Sequence, residues 1–266
     1  MDTQRIEERV SLRGKTAVVV GGGTPIGRAV AEGLADTGAA VLLVADSDWE
    51  EAKEMVNRIR AEGGKARALW ADPHDAEDAE RVAQSAVEYF GGLDILVNNY
   101  CNPSLASTVS RQAMNENLKA IDLYSRAAAK RMISARRGGH IINLAWMEEP
   151  QAYASPIPLP RNNIAFVSKR LALDLAPYKI NVNALSPGSI QTPDAQMQAA
   201  GLTSEGTSVT ENRGAVSRPA LSVPPSTVGV EPEDVTTVVL FLLSEAAENI
   251  TGQLVVLDGE YRPARG

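Results

Sequence analysis

Lys15 to Ala31 reads KTAVVVGGGTPIGRAVA. An apolar, β-branched-rich run, Thr16 to Val20, breaks into Gly21, Gly22 and Gly23, and Ile26, Ala29, Val30 and Leu34 then recur at helical spacing. This is the pattern of a strand, a tight turn and a helix. Successive glycines let the backbone approach a phosphate, and the amides and positive dipole end of the following helix attract its charge. Gly21, Gly23, Ile26 and Gly27 are therefore candidate phosphate-side residues. On its own the same pattern also serves an ordinary glycine turn between a buried strand and a helix.

Working outward, strands and helices alternate. Gly38-Ala39-Ala40 stops the first helix, and a second strand, Val41 to Ala45, closes on Asp46. An acidic residue some twenty positions past the glycines is placed to accept from a ribose hydroxyl, though a solvated strand-end aspartate has the same signature. A charged amphipathic helix follows over 49–62, then a strand from Ala66 to Trp70 running into Asp72, and a helix from Asp75 to Phe90. A fourth strand, Leu93 to Val97, delivers Asn98 and Asn99 to its carboxyl end. The second half predicts a long helix from Ser107 to Ala135, a strand from His140 to Ala145, and a helix from Ile164 to Ala176. A strand from Ile180 to Leu185, a helix from Glu233 to Ser244 and a strand from Gln253 to Leu257 complete it. Short glycine stops between alternating elements argue for a parallel sheet covered on both faces. Two segments resist this pattern. Residues 146–163 hold four prolines, and residues 194–230 are rich in Ser, Thr, Gly, Pro and Ala, which predicts a mobile substrate loop.

Composition narrows the function classes. The 266 residues are 44% hydrophobic, enough for one sizeable core, and carry 26 basic against 33 acidic residues for a net charge of −7. The basic residues are dispersed, which points away from nucleic acid and anionic membranes. One cysteine, Cys101, forbids an internal disulfide, and with only two histidines a Cys/His metal site is not expected. No apolar run approaches the ~20 residues that cross a bilayer, and MDTQRIEERV lacks a signal-peptide core, so a soluble, cytoplasmic protein is expected.

The glycine turn, Asp72 after the third strand, Asn98-Asn99 after the fourth, Asn117 in the long helix, Lys169, NALSPGSIQT over 183–192 and the closing ITGQLVVLDG fall in a fixed order. In that order they resemble the short-chain dehydrogenase/reductase family over nearly the whole chain. The resemblance implies a single doubly wound Rossmann domain over residues 1–266, with a roughly seven-stranded parallel sheet, helices on both faces and a dinucleotide across its carboxyl edge. It further implies a small-molecule carbonyl or secondary alcohol as substrate and a homo-tetramer or dimer. Asp72, Asn98, Lys169, Pro187, Gly188, Ile190 and Thr192 join the glycine turn and Asp46 as cofactor-binding candidates. Charge favours NAD over NADP: Asp46 accepts from a free 2′-hydroxyl and repels a 2′-phosphate, no arginine follows it, and Thr24 holds the place where a basic residue often sits. The register leaves open whether Ala45 or Asp46 occupies the family's aspartate position.

The chain also departs from the family pattern. Pro25 replaces a glycine of the turn and removes one amide donor, and Tyr100-Cys101 replaces Ala-Gly, so weakened NAD binding is expected. Family catalysis resembles a Tyr-x-x-x-Lys pair with a serine after the fifth strand; here Ala165 precedes Lys169 by four residues and Ala145-Trp146 replaces the serine pair. A wider Tyr-to-Lys spacing would need a tyrosine at 162, where Asn162 stands. Asn117 and Lys169 remain as catalytic candidates, and Tyr153, near Glu148, Glu149 and Ser155, is the candidate relocated acid. Three readings follow. The chain is an NAD-dependent oxidoreductase with a relocated proton donor, a non-catalytic subunit paired with an active homologue, or a cofactor-independent isomerase or lyase using the same cleft.

Overall fold

In the computed structural model, residues 10–100, 111–144, 164–187 and 230–257 are described. Seven strands run β1 Thr16–Val20, β2 Ala40–Ala45, β3 Lys65–Trp70, β4 Ile95–Asn99, β5 Gly139–Leu144, β6 Ile180–Pro187 and β7 Leu254–Leu257. Among the described residues, six α-helices connect them: α1 Pro25–Asp36, α2 Trp49–Ala61, α3 Ala76–Phe90, α4 Arg111–Ala135, α5 Ile164–Leu175 and α6 Pro232–Leu243. The sheet order is β3-β2-β1-β4-β5-β6-β7, every pairing parallel. The order reverses between β1 and β4, which makes their carboxyl ends the topological switch point.

Local chemistry explains the elements. β1 and β2 are buried and almost wholly apolar, as a sheet covered on both faces requires. Alternation assigns the faces: Ala17 and Val19 pack with α1, α2 and α6, and Val18 and Val20 pack with α3, α4 and α5. Helix starts carry caps. The Thr24 side chain accepts from the Gly27 amide, the Asp75 carboxylate accepts from the amides of Glu77 and Asp78, and the Asp234 carboxylate accepts from the Glu231 amide at the start of α6. Leu12, ahead of β1, is 5% exposed and belongs to the core under α1.

Several expected boundaries shift. β4 starts two residues later than the apolar run and takes in Asn98 and Asn99, because both asparagines continue the ladder opposite Asn143 and Leu144. β6 extends through Ser186 and Pro187, paired with Val256 and Leu257. Helix α5 ends at Leu175, and Ala176–Tyr178 tighten into a 3-10 turn around the proline. The carboxyl end of β2 falls at Ala45 as expected, so Asp46 is the first residue beyond the strand.

Candidate functional site

The switch point is built around the turn after β1. Gly21 has φ +70°, and a Cβ there would overlap the Asn99 carbonyl oxygen. A Cβ on Gly27 would overlap the Gly21 carbonyl oxygen, and one on Gly23 the Asp48 carbonyl oxygen. The turn is thus close-packed between β4, α1 and the start of α2. Thr24 is its hub: Oγ1 donates to the Gly21 carbonyl oxygen at 2.9 Å and accepts from the Gly27 amide at 3.1 Å and from Asn99 Nδ2 at 2.8 Å. Asn99 Nδ2 also reaches the Gly21 carbonyl oxygen at 3.2 Å.

This clamp leaves the Ile26 donor over. Helix starts present amides without an intrahelical partner. The Thr24 amide donates to the Gly21 carbonyl, Gly27's is taken by Thr24, and Pro25 has none. The Ile26 amide has no acceptor among the described residues, and it stands at the positive end of a 12-residue helix. The glycine turn therefore fits an anion, with one backbone donor fewer than a turn without proline.

Acidic residues line the next edge. Asp46 is exposed and accepts from Ser47 Oγ at 3.2 Å. Asp48, at the N-cap of α2, makes no side-chain cap, and burial with the charges of Glu51 and Asp46 raises its pKa against the opposing pull of Arg28. Asp72, after β3, is exposed; its Oδ1 accepts from the His74 amide at 2.8 Å and its carbonyl accepts from Tyr124 Oη at 3.2 Å. Among the described residues no three His, Cys, Asp or Glu side chains gather where a metal would sit, and no helix is long and apolar enough to cross a membrane.

The other flank holds a buried polar row that the sequence reading missed. Asn98 and Asn143 stand opposite each other on β4 and β5. Asn98 Nδ2 donates to Asn143 Oδ1 at 2.9 Å and to Ser125 Oγ of α4 at 3.1 Å, and Asn143 Nδ2 donates to Ser168 Oγ of α5 at 2.8 Å. All four residues are at most 1% exposed. The available signal was a polar residue inside an apolar run, Asn143 in HIINLA and Ser168 on the apolar face of α5, because such a residue must find a partner.

Lys169 follows Ser168 and is exposed on α5, where its stem lies beside Gly252 in the turn before β7. Ala165 is one helical turn before it on the same helix. Asn117 is half-buried in α4, and Pro187 ends β6 buried. Tyr100 directly follows β4, its amide donating to the Leu144 carbonyl at 3.0 Å. The structure thus brings Gly21, Gly23, Ile26, Gly27, Asp46 and Asp72 to the carboxyl edge and sets Asn98 beneath it. Tyr153, Gly188, Ile190, Thr192 and the 194–229 part of the expected loop lie outside the described residues, as do Cys101, Ala145-Trp146, Glu148, Glu149, Ser155 and Asn162.

The comparisons with known proteins agree with this architecture. Residues 22–261 match the family model described as Enoyl-(Acyl carrier protein) reductase. The chain is 32% identical over 257 residues to 3beta-hydroxysteroid dehydrogenase 1 of Eggerthella lenta, covering 93% of this chain and 94% of that protein. It is 30% identical over 266 residues to 2-dehydro-3-deoxy-D-gluconate 5-dehydrogenase of Escherichia coli, covering 94% and 96%. A crystal structure of a hydroxysteroid dehydrogenase from Escherichia coli superposes with a TM-score of 0.70 at 25% identity over 94% of this chain and 97% of that one. With a glycine turn at the switch point of a seven-stranded parallel sheet and relatives matched end to end, the chain belongs to the short-chain dehydrogenase/reductase family of oxidoreductases.

Proposed function

We propose that the protein binds NAD, in preference to NADP, across the β1/β4 crevice and acts on the carbonyl/secondary-alcohol pair of a small molecule. The single observation that carries this reading is the clamp of Gly21, Thr24 and Asn99, which holds the Ile26 amide free at a helix N-terminus. Gly21, Gly23, Ile26 and Gly27 would hold the pyrophosphate, Asp46 the ribose and Asp72 the adenine end. Lys169, with Pro187, Gly188, Ile190 and Thr192, would hold the nicotinamide half. When bound, the nicotinamide supplies or accepts the hydride. Asp46, solvated and unaccompanied by a following arginine, disfavours a 2′-phosphate by like-charge repulsion. The missing amide at Pro25 weakens the phosphate contact without abolishing it.

Proton exchange is the chain's open position. Ala165 carries no acid one turn before Lys169, so the proton comes from outside α5, with Tyr153 as donor and Asn117 holding the approach. The relatives named as hydroxysteroid and sugar-acid dehydrogenases make those two substrate classes the first to screen. Self-association as a homo-oligomer is part of this reading, since α5 exposes Phe166 at 46% and Leu173 at 71%. Ala165 also favours a second reading, a non-catalytic subunit that keeps the fold beside an active homologue.

Calorimetric titration with NADH and NADPH, for the wild type and Lys169→Ala, tests the proposal. Micromolar NADH binding that exceeds NADPH binding and weakens in the variant supports it. Failure to bind either nucleotide removes the dehydrogenase reading. NADH binding together with no turnover of any secondary alcohol, and co-purification with a tyrosine-bearing homologue from the native host, selects the second.

A further inference from the structure

β3 is an edge of the sheet, paired with β2 alone. An edge strand leaves its outward backbone groups without a ladder partner, so something else must fix the chain where it leaves the strand. That exit carries Asp72. The Ala71 amide still reaches the Ala45 carbonyl of β2 at 3.2 Å, and beyond it side chains take over. Arg81 Nη2 of α3 donates to the Trp70 carbonyl at 2.9 Å and to Asp78 Oδ1 at 2.6 Å. Asp78 Oδ2 in turn accepts from the Asp72 amide at 2.8 Å. Tyr124 Oη of α4 completes the clasp, donating to the Asp72 carbonyl at 3.2 Å.

The members of this clasp differ in one respect. Arg81 is on the surface, whereas Tyr124 is 2% exposed, its ring packed in the apolar cluster that α3 and α4 share. A ring gripped by a close-packed core carries its hydroxyl as a fixed point, which ties an exposed loop residue to the rigid part of the fold. Burial, with the charges of Asp78, Asp72 and Asp75, raises the phenol's pKa against the pull of Arg81, so the hydroxyl stays a donor. The Asp72 side chain is only half committed. Its Oδ1 accepts from the His74 amide at 2.8 Å, and its Oδ2 has no partner among the described residues.

We propose that Tyr124 is a positioning residue for the nucleotide: it holds the Asp72 backbone so that the open carboxylate oxygen is fixed to accept from the adenine amino group. This inference rests on the dinucleotide reading above and assigns to a buried residue of α4 the support of a contact made by the β3 exit.

The test titrates ADP and NADH into the full chain as wild type, Tyr124→Phe, Asp72→Ala and the double variant. Phe keeps the packed ring and removes only the hydroxyl. Tyr124→Phe should weaken both ligands about fivefold, the size of one ordinary hydrogen bond, and Asp72→Ala at least as much. The double variant should bind both within about twofold of Asp72→Ala, because Tyr124 acts through Asp72. Losses that multiply in the double variant overturn the inference, since the hydroxyl would then act on the fold at large. Wild-type affinity in Tyr124→Phe overturns it whatever the melting temperature does, and so does unaltered binding in Asp72→Ala. A wild type that binds NADH but not ADP overturns it as well. Each of these results leaves the dinucleotide reading intact, whereas a wild type that binds neither ligand overturns both.

Discussion

The two flanks of the crevice are built on opposite principles. On the β1 side, backbone groups do the work: Gly21, Gly23 and Gly27 press main chain against main chain, and Thr24 and Asn99 tie the turn shut. On the β5 side, side chains do it, through the buried row Ser125–Asn98–Asn143–Ser168 that ends next to Lys169. The first flank tolerates almost no added atom. The second is tied by side-chain hydrogen bonds that run from α4 through β4 and β5 to α5, with one buried acceptor, Asn98 Oδ1, left without a partner among the described residues. The comparison teaches that the glycine turn and the buried polar row are held by separate sets of groups, so one can change while the other is kept.

The sharpest way to break this contrast is Gly21→Ala. The substitution strains a residue at φ +70° and drives its Cβ into the Asn99 carbonyl, both in backbone with nowhere to give. A destabilisation of about 3 kcal/mol or more is expected, read by urea unfolding, together with loss of NADH binding. A variant of wild-type stability would show that the turn is not close-packed.

Asn143→Ala probes the other flank. It leaves Asn98 Nδ2 without one acceptor and Ser168 Oγ without its donor in a dry interior, at an expected cost of about 2 kcal/mol. NADH affinity should stay within about twofold, because the phosphate turn is untouched. A loss of affinity that outruns the loss of stability would mean the two flanks are coupled.

His140 tests the amino end of β5, remote from both flanks, and gives the smallest effect. Burial lowers its pKa from 6.5, with the Lys15 charge acting in the same direction, and its Nδ1 has no partner among the described residues. The folded state therefore binds this proton more weakly than the unfolded chain. Stability present above pH 6.5 is lost as pH falls from there through the folded value. His140→Leu should flatten that part of the stability profile, and nucleotide affinity near neutrality should not move. An unaltered profile would show that His140 is not the titrating group.

Much of the fold was legible because its signals are local. Glycine stops and apolar runs located every strand of the sheet, and Asp72 and the glycine turn fell where the pattern put them. The β4 boundary was misplaced because Asn98 and Asn99 look like loop residues, and only a partner strand reveals that they continue a ladder. Ser125 and Ser168 were not singled out for the same reason. They lie 27 residues after Asn98 and 25 after Asn143, and their meaning is their partner.

The sequence by itself determined the alternation of strand and helix, the phosphate-type turn, and the absence of a tyrosine four residues before Lys169, since these depend on residue identity and near-neighbour spacing. The tertiary structure alone decided that Thr24 and Asn99 clamp the turn, that Asn98 and Asn143 pair between buried strands, and that the Tyr100 hydroxyl is left without a partner among the described residues. Each of these is a matter of which distant groups share one small volume, and chain order does not encode that directly.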